Sequence, residues 1–350
     1  MSRDVLVVAP NWLGDAVMAL PAVAALRQHL SGGRVFVAAR AGVDDLFRLS
    51  PDVAAVIPLS WRGGLFEAAA LSGDATRLRE SGADVAVLLP NSLASAWLVR
   101  RAGIAERWGY DTDARRLLLT RTVARPRGSP HQSEYYLHLL RECGVRDGAA
   151  FRLAVPSDTV ASVRTTLARE GWDGVAPLVV LAPGAAYGTA KQWRLDHVAS
   201  AAGALVERGS TVVLVGGRAD ASATTHVRAL MPAQHQRATI DLAGRTTLAE
   251  LAALFTLARA CVSNDSGAMH LAAALSTPTV ALFGPTIERE TSPLLTEHGW
   301  VRVLTAPVWC RPCMLRECPI DHRCMSGISP QMVLRALGDL PSAPMTGSAR

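Results

Sequence analysis

Short apolar runs rich in β-branched residues alternate with stretches of helical periodicity, and this alternation runs through the chain twice. The runs at 5–9, 35–39, 53–57 and 85–89 read as strands. Between them, 16–30, 42–49, 65–80 and 92–101 carry apolar residues at helical spacing. A strand–helix–strand rhythm has few folded solutions. Parallel strands need long crossovers, the crossover helices cover both faces, and the strands become apolar throughout because neither face meets water. The rhythm restarts after Val155-Pro156-Ser157, with a helix at 159–170 and strands at 178–182, 211–215, 239–242, 260–263 and 279–283. Helices fall between them at 195–208, 219–230, 248–257 and 267–275, and Thr247-x-x-Glu250 is a capping box opening one. A short amphipathic helix at 329–340 and a tail at 341–350 end the chain.

A length of 350 residues, 49% of them apolar, is enough to fill two cores of ordinary size. The expected architecture is α/β: two Rossmann-like, doubly wound parallel-sheet domains at 1–155 and 156–328, facing across a cleft. Ligands of such folds bind at the carboxyl ends of the strands.

The sequence excludes several classes. No apolar run approaches the ~20 residues of a membrane span. The first apolar run is short and stops at Pro10, unlike a signal peptide, so a cytoplasmic protein is expected. The net charge of +6 is spread evenly, but eight arginines (100, 101, 107, 115, 116, 121, 125 and 127) crowd one stretch against Glu106, Asp111 and Asp113. Such a patch suits an anionic partner, or is simply a solvated arginine-rich surface. It lacks interleaved aromatics and no nucleic-acid motif accompanies it, which argues against nucleic acid.

Among 36 basic residues, Lys191 is the single lysine. A compact ammonium suits a point contact, such as a diphosphate oxygen, better than a planar guanidinium does. Lys191 lies in a loop that leaves the strand at 178–182 through Pro183-Gly184. The first strand runs into Pro10-Asn11-Trp12-Leu13-Gly14-Asp15, which has neither the glycine pattern of a dinucleotide fold nor that of a P-loop. Asp15 there is either an N-cap or a general base held ionised by a helix start. In the second half, Asn264-Asp265-Ser266-Gly267 opens an apolar helix whose free N–H groups form an anion site, with His270 one turn in. Gly216-Gly217 allows close approach of a ligand, and Gly284-Pro285-Thr286 makes a tight turn after the last strand.

Six cysteines fall into two groups. Cys143 and Cys261 read as isolated buried thiols. Cys310, Cys313, Cys318 and Cys324 are close enough in sequence for a structural zinc, with reduced thiols as the alternative; a disulfide is disfavoured in the cytosol.

Three groups of residues together resemble the heptosyltransferases of lipopolysaccharide inner-core assembly, glycosyltransferase family 9. They are Asn11-Trp12-x-Gly14-Asp15, Pro183-Gly184 with Lys191-x-Trp193, and Asn264-Asp265-Ser266-Gly267-x-Met269-His270 followed by Gly284-Pro285-Thr286. Leu89-Pro90-Asn91-Ser92 and His131-x-x-x-Tyr135 are similar to the subgroup that adds the second heptose. The resemblance covers roughly residues 4–340. It implies a GT-B fold and an inverting transfer of heptose from ADP-heptose to a heptosyl-Kdo lipid A acceptor, with no catalytic metal. Addition of the first heptose, another nucleotide sugar, or a non-catalytic metal-binding assembly partner are the alternatives. The implied roles are Asp15 as base and Lys191 as the charge that neutralises the leaving diphosphate. Asp265 would bind heptose hydroxyls, with Gly184, Gly216, Gly217, Ser266, Gly267, His270 and Thr286 around the nucleotide sugar. Asn11, Trp12, Gly14, Asn91, Arg100 and Arg107 would meet the acceptor. The acceptor's acidic sugars imply peripheral contact with the inner face of the inner membrane. The last helix is expected to cross back to the N-terminal domain. Some relatives hold the ribose with a Glu after the second strand of domain two; that Glu has no match in Gly216-Gly217-Arg218-Ala219-Asp220, so Asp220 would have to substitute or other groups do the work.

Overall fold

The structure is a computed structural model and describes residues 3–62, 67–146 and 150–340. Two compact units emerge: Met1–Ala154 with Arg289–Thr291, and Val155–Glu288 with Ser292–Arg350. The tail at 341–350 and the first two residues of the helix expected at 65–80 lie outside the described residues.

The first unit is built on six parallel strands: β1 (Val5–Val8), β2 (Val35–Arg40), β3 (Ala55–Leu59), β4 (Val85–Leu88), β5 (Glu106–Tyr110) and β6 (Arg121–Val123). Their order is β3-β2-β1-β4-β5-β6. Val5 of β1 aligns with Val35 on one side and Val85 on the other. The chain winds outward from β1 in one direction and then, from β4, in the other. The crossover helices therefore cover both faces, and β1 and β4 are buried along their whole length. Pro58 is tolerated because β3 is an edge strand, where a missing N–H breaks no ladder.

The second unit repeats the plan with β7 (Leu178–Ala182), β8 (Thr211–Leu214), β9 (Thr239–Asp241), β10 (Ala260–Asn264), β11 (Thr279–Phe283) and β12 (Val301–Thr305). Their order, β12-β11-β10-β7-β8-β9, is the same winding read from the other edge. All registers are parallel, with Val179 of β7 opposite Ala260 of β10. The core packs Leu181, Leu214, Val262 and Leu282 from the strands against Val198, Ala202 and Leu205 of the helix Leu195–Glu207. The capping box forms as expected: Glu250 N–H donates to Thr247 Oγ1 at 3.2 Å, and Thr247 N–H donates to Glu250 Oε2 at 2.8 Å.

The sequence reading requires two corrections. β5, β6 and β12 are absent from it, because Glu106, Arg107, Arg121 and Arg302 interrupt the apolar signal in strands near the sheet edges. The basic stretch is not a uniform surface either. Arg115 is fully buried: its Nε donates to Tyr110 O at 3.0 Å and its Nη1 to Pro90 O, and burial lowers its pKa to about 10. The last helix, Pro330–Gly338, is assigned to the second unit. Val333 and Ala336 on its apolar face join the second core.

No helix among the described residues is long and apolar enough to cross a membrane.

Candidate active site

In a doubly wound sheet the first and fourth strands are neighbours, and the loops leaving their carboxyl ends meet where the winding reverses. In the second unit these strands are β7 and β10. The loop after β7 carries Pro183-Gly184 and, further on, Lys191; β10 runs into Asp265. The reversal point therefore brings together residues more than 70 positions apart. Asn264, 1% exposed, fastens the two loops: its Nδ2 donates to Pro183 O at 2.7 Å and Gly184 O at 3.2 Å, and its Oδ1 accepts Trp193 N–H at 3.2 Å.

At this point Lys191 Nζ lies 2.6 Å from Asp265 Oδ2, with side-chain exposures of 13% and 5%. Thr286, on the turn after β11, donates its hydroxyl to the same Oδ2 at 2.7 Å. The two residues expected to meet phosphate and sugar separately are thus an ion pair, with the Thr286 hydroxyl as a second donor to Asp265. Lys191 also stands over the Tyr187 ring, 4.7 Å from its centroid.

Ser266 is the N-cap of the helix Gly267–Ala274 in extended conformation, and its side chain makes no capping bond. It shares a hydrogen bond with Ser263 Oγ at 3.0 Å instead, so the first N–H groups of the helix are not closed off by their own cap. His270 is 3% exposed within this helix, among its buried residues.

The glycines do admit a close approach, but by a residue of the chain. A Cβ on Gly184 or Gly216 would collide with the Asp220 side chain, and Gly217 N–H donates to Asp220 Oδ2 at 2.8 Å. Asp220 is thereby held at the carboxyl ends of β7 and β8. The sequence alone offered it only as a substitute.

In the first unit, β1 leads into the helix Leu13–His29, three residues earlier than the periodicity suggests. Trp12 takes the N-cap position, so Asp15 is not the cap; it sits in the first turn, half-buried. Tyr136 is a neighbour: burial, and next the charge of Asp15, push its hydroxyl pKa well up. Asn11 and Trp12 are exposed, Trp12 at 54%. Asn91, after β4, is held by side chains: its Nδ2 donates to Tyr135 Oη at 3.0 Å, and its Oδ1 accepts Arg115 Nη2 at 3.4 Å. His131 caps the helix Gln132–Glu142 through Ser133 N–H. Arg100 is exposed, whereas Arg107 spends its guanidinium on the carbonyls of Leu118, Ile104 and Ala105.

No zinc site is confirmed at the four clustered cysteines. All are free thiols, and among the described residues no group of three or more His, Cys, Asp or Glu is arranged to hold an ion. Cys313 is exposed and Cys324 buried, and Cys318 Sγ accepts His322 N–H at 3.3 Å. The neighbouring thiols still act on one another: burial first, then Cys310, Cys318 and Cys313, push the Cys324 pKa up.

The chain is similar to solved and characterised proteins over nearly its whole length. The lipopolysaccharide heptosyltransferase 2 of Escherichia coli K12 is 32% identical over 342 residues, covering 96% of this chain and 98% of the relative. The lipooligosaccharide heptosyltransferase 2 of Haemophilus influenzae is 28% identical, covering 96% and 99%. The solved structure of E. coli ADP-heptose LPS heptosyltransferase II superposes with a TM-score of 0.81 at 29% identity, covering 96% of this chain and 97% of that one. Its GT-B architecture is the one found here, two Rossmann-like α/β units. The model of glycosyltransferase family 9 (heptosyltransferase) matches residues 75–323, which takes in Lys191, Asp265 and Thr286, and the chain belongs to that family of enzymes.

Proposed function

We propose that this chain transfers heptose from ADP-heptose to the heptosyl-Kdo inner core of lipopolysaccharide, adding the second heptose with inversion. The observation that carries the reading is the Lys191–Asp265–Thr286 cluster beside the Ser266-Gly267 helix start, at the winding reversal of the second sheet.

Asp15 takes the proton of the acceptor hydroxyl as its oxygen attacks the anomeric carbon. The bond from that carbon to the diphosphate breaks, and ADP leaves with the electron pair. Asp15 suits this role because the first turn of a helix favours the ionised carboxylate. Lys191 has three N–H donors and Asp265 occupies one, which leaves the ammonium able to meet phosphate oxygen as well. The helix start at Gly267 adds fixed positive potential where charge develops. Asp265, with Thr286 on one oxygen, accepts sugar hydroxyls. Asp220, beside Gly216 and Gly217, takes the ribose position. Asn11, Trp12, Gly14, Asn91 and Arg100 stay with the acceptor. Arg107 is withdrawn from that group, because its Nε and Nη1 already hold it to carbonyls. The transfer uses no metal in this reading, and the acceptor's lipid implies contact with the inner leaflet from the cytoplasmic side.

ADP release from ADP-heptose, with a heptosyl-Kdo lipid A acceptor and with one carrying Kdo alone, is the test. Release that depends on the heptosylated lipid is expected. Release with the Kdo acceptor only would make this the first heptosyltransferase, and release with neither would sink the donor assignment.

A further inference from the structure

We propose that the cysteine-bearing segment 310–318 is part of the donor site and that Arg316 is a second cation for the donor's diphosphate. The inference deepens the reading of Lys191 given above and rests on it.

The segment is clasped to both loops that build the site. On one side Cys313 N–H and Met314 N–H both donate to Pro285 O, at 3.0 and 2.9 Å. Arg311 Nε donates to Gly284 O at 2.9 Å, and its Nη2 bonds Thr286 O at 3.3 Å and Glu288 Oε2 at 2.8 Å. Pro285 and Thr286 belong to the turn whose hydroxyl reaches Asp265. On the other side Ala190 N–H donates to Arg316 O at 3.0 Å, and Tyr187 Oη donates to Met314 O at 3.2 Å. Gly188, at φ 153°, has to be glycine here because a Cβ would strike the Arg316 carbonyl. The backbone of Arg316 is therefore fixed to the 3-10 turn Thr189–Lys191 itself, at the residue before Lys191.

This arrangement places two cations on one ring. Lys191 Nζ is 4.7 Å and the Arg316 guanidinium carbon 5.0 Å from the Tyr187 centroid. Like charges gathered around one ring repel, and the ring quadrupole offsets only part of that. Lys191 has a carboxylate partner in Asp265, whereas Arg316 makes no ion pair among the described residues and its side chain is exposed. A diphosphate would supply the missing negative charge. The guanidinium fork suits bidentate contact with phosphate, complementing the single-point ammonium. Charge on the leaving diphosphate grows as the anomeric bond breaks, so a second fixed cation contributes to turnover as well as to binding.

Calorimetric titration of the full chain with ADP tests this, comparing wild type with Arg316→Gln, Arg316→Lys and Lys191→Ala, alongside thermal melting. Arg316→Gln is expected to weaken ADP binding by about tenfold, the scale of one charge-assisted contact. Arg316→Lys should recover part of that, and melting should stay unchanged because the side chain is exposed. If Arg316→Gln binds ADP like wild type while Lys191→Ala binds it weakly, the inference is wrong and the donor site stands without Arg316. If neither substitution changes ADP affinity, both this inference and the phosphate role of Lys191 are overturned.

Discussion

Asp265 holds two donors on one oxygen, Lys191 at 2.6 Å and Thr286 at 2.7 Å, in a setting where its side chain is 5% exposed. A carboxylate so placed depends on its cation, because desolvation penalises an unpaired charge. Lys191→Ala should therefore cost stability as well as turnover. A loss of about 3 kcal/mol in urea unfolding is expected, with kcat down by roughly 100-fold or more from the lost leaving-group charge. Lys191→Arg should restore stability better than turnover; full recovery of kcat would remove the argument for a point charge. Asp52 behaves in the opposite sense. Burial raises its pKa, and the Arg27 and Arg152 charges offset this only in part. The folded state thus binds the proton more tightly than the unfolded state. Its contribution is favourable at acid pH and declines as pH rises upward through the carboxylate range. Asp52→Asn should accordingly raise the unfolding midpoint at neutral pH and leave it unchanged at strongly acid pH. An equal shift at both would rule out titration as the cause.

At the level of elements, the first helix explains why Asp15 is available. Trp12 fills the N-cap position with an indole that cannot cap, and Asp15 follows in the first turn, where the helix dipole favours its charge. Asp15→Asn keeps the shape and removes the proposed base. kcat should drop by about 10²–10⁴-fold while ADP affinity holds, because the proposed donor-binding residues are on the other unit. A near wild-type rate would reassign the base. The cysteine segment gives a second element-scale expectation. Cys313 is exposed and Cys310 and Cys318 are half-buried, whereas burial pushes Cys143 up to about 11 and Cys261 higher still. Iodoacetamide labelling followed by mass spectrometry should modify Cys313 first and spare Cys143 and Cys261 until the protein unfolds. Equal protection of Cys310, Cys313, Cys318 and Cys324, lifted by a chelator, would instead reveal a bound metal.

The whole molecule repeats one winding twice, and the two copies have come to hold different chemistry at the same topological place. In the first, the reversal between β1 and β4 carries Asp15 and Asn91; in the second, the reversal between β7 and β10 carries Lys191 and Asp265. Because lysine, arginine and a helix start supply positive charge in the second unit, transfer should survive prolonged EDTA treatment with kcat unchanged. Loss of activity restored by a divalent cation would contradict that.

The repeated strand–helix rhythm determined the fold class, since strands apolar on both faces leave only a covered parallel sheet. It also marked the site loops, because polar and glycine residues directly after such strands have few other uses. Asp15, Lys191 and Asp265 were singled out in that way as candidate site residues. The sequence could not show that Lys191 and Asp265 pair, that Asp220 fills the space above Gly184 and Gly216, or that Asn264 ties the two loops. Those contacts depend on strand order, and periodicity carries no information about which strands become neighbours. Nor could it separate Arg115 and Arg107 from the surface arginines around them, because burial of a cation is decided by the carbonyls that tertiary structure brings to it.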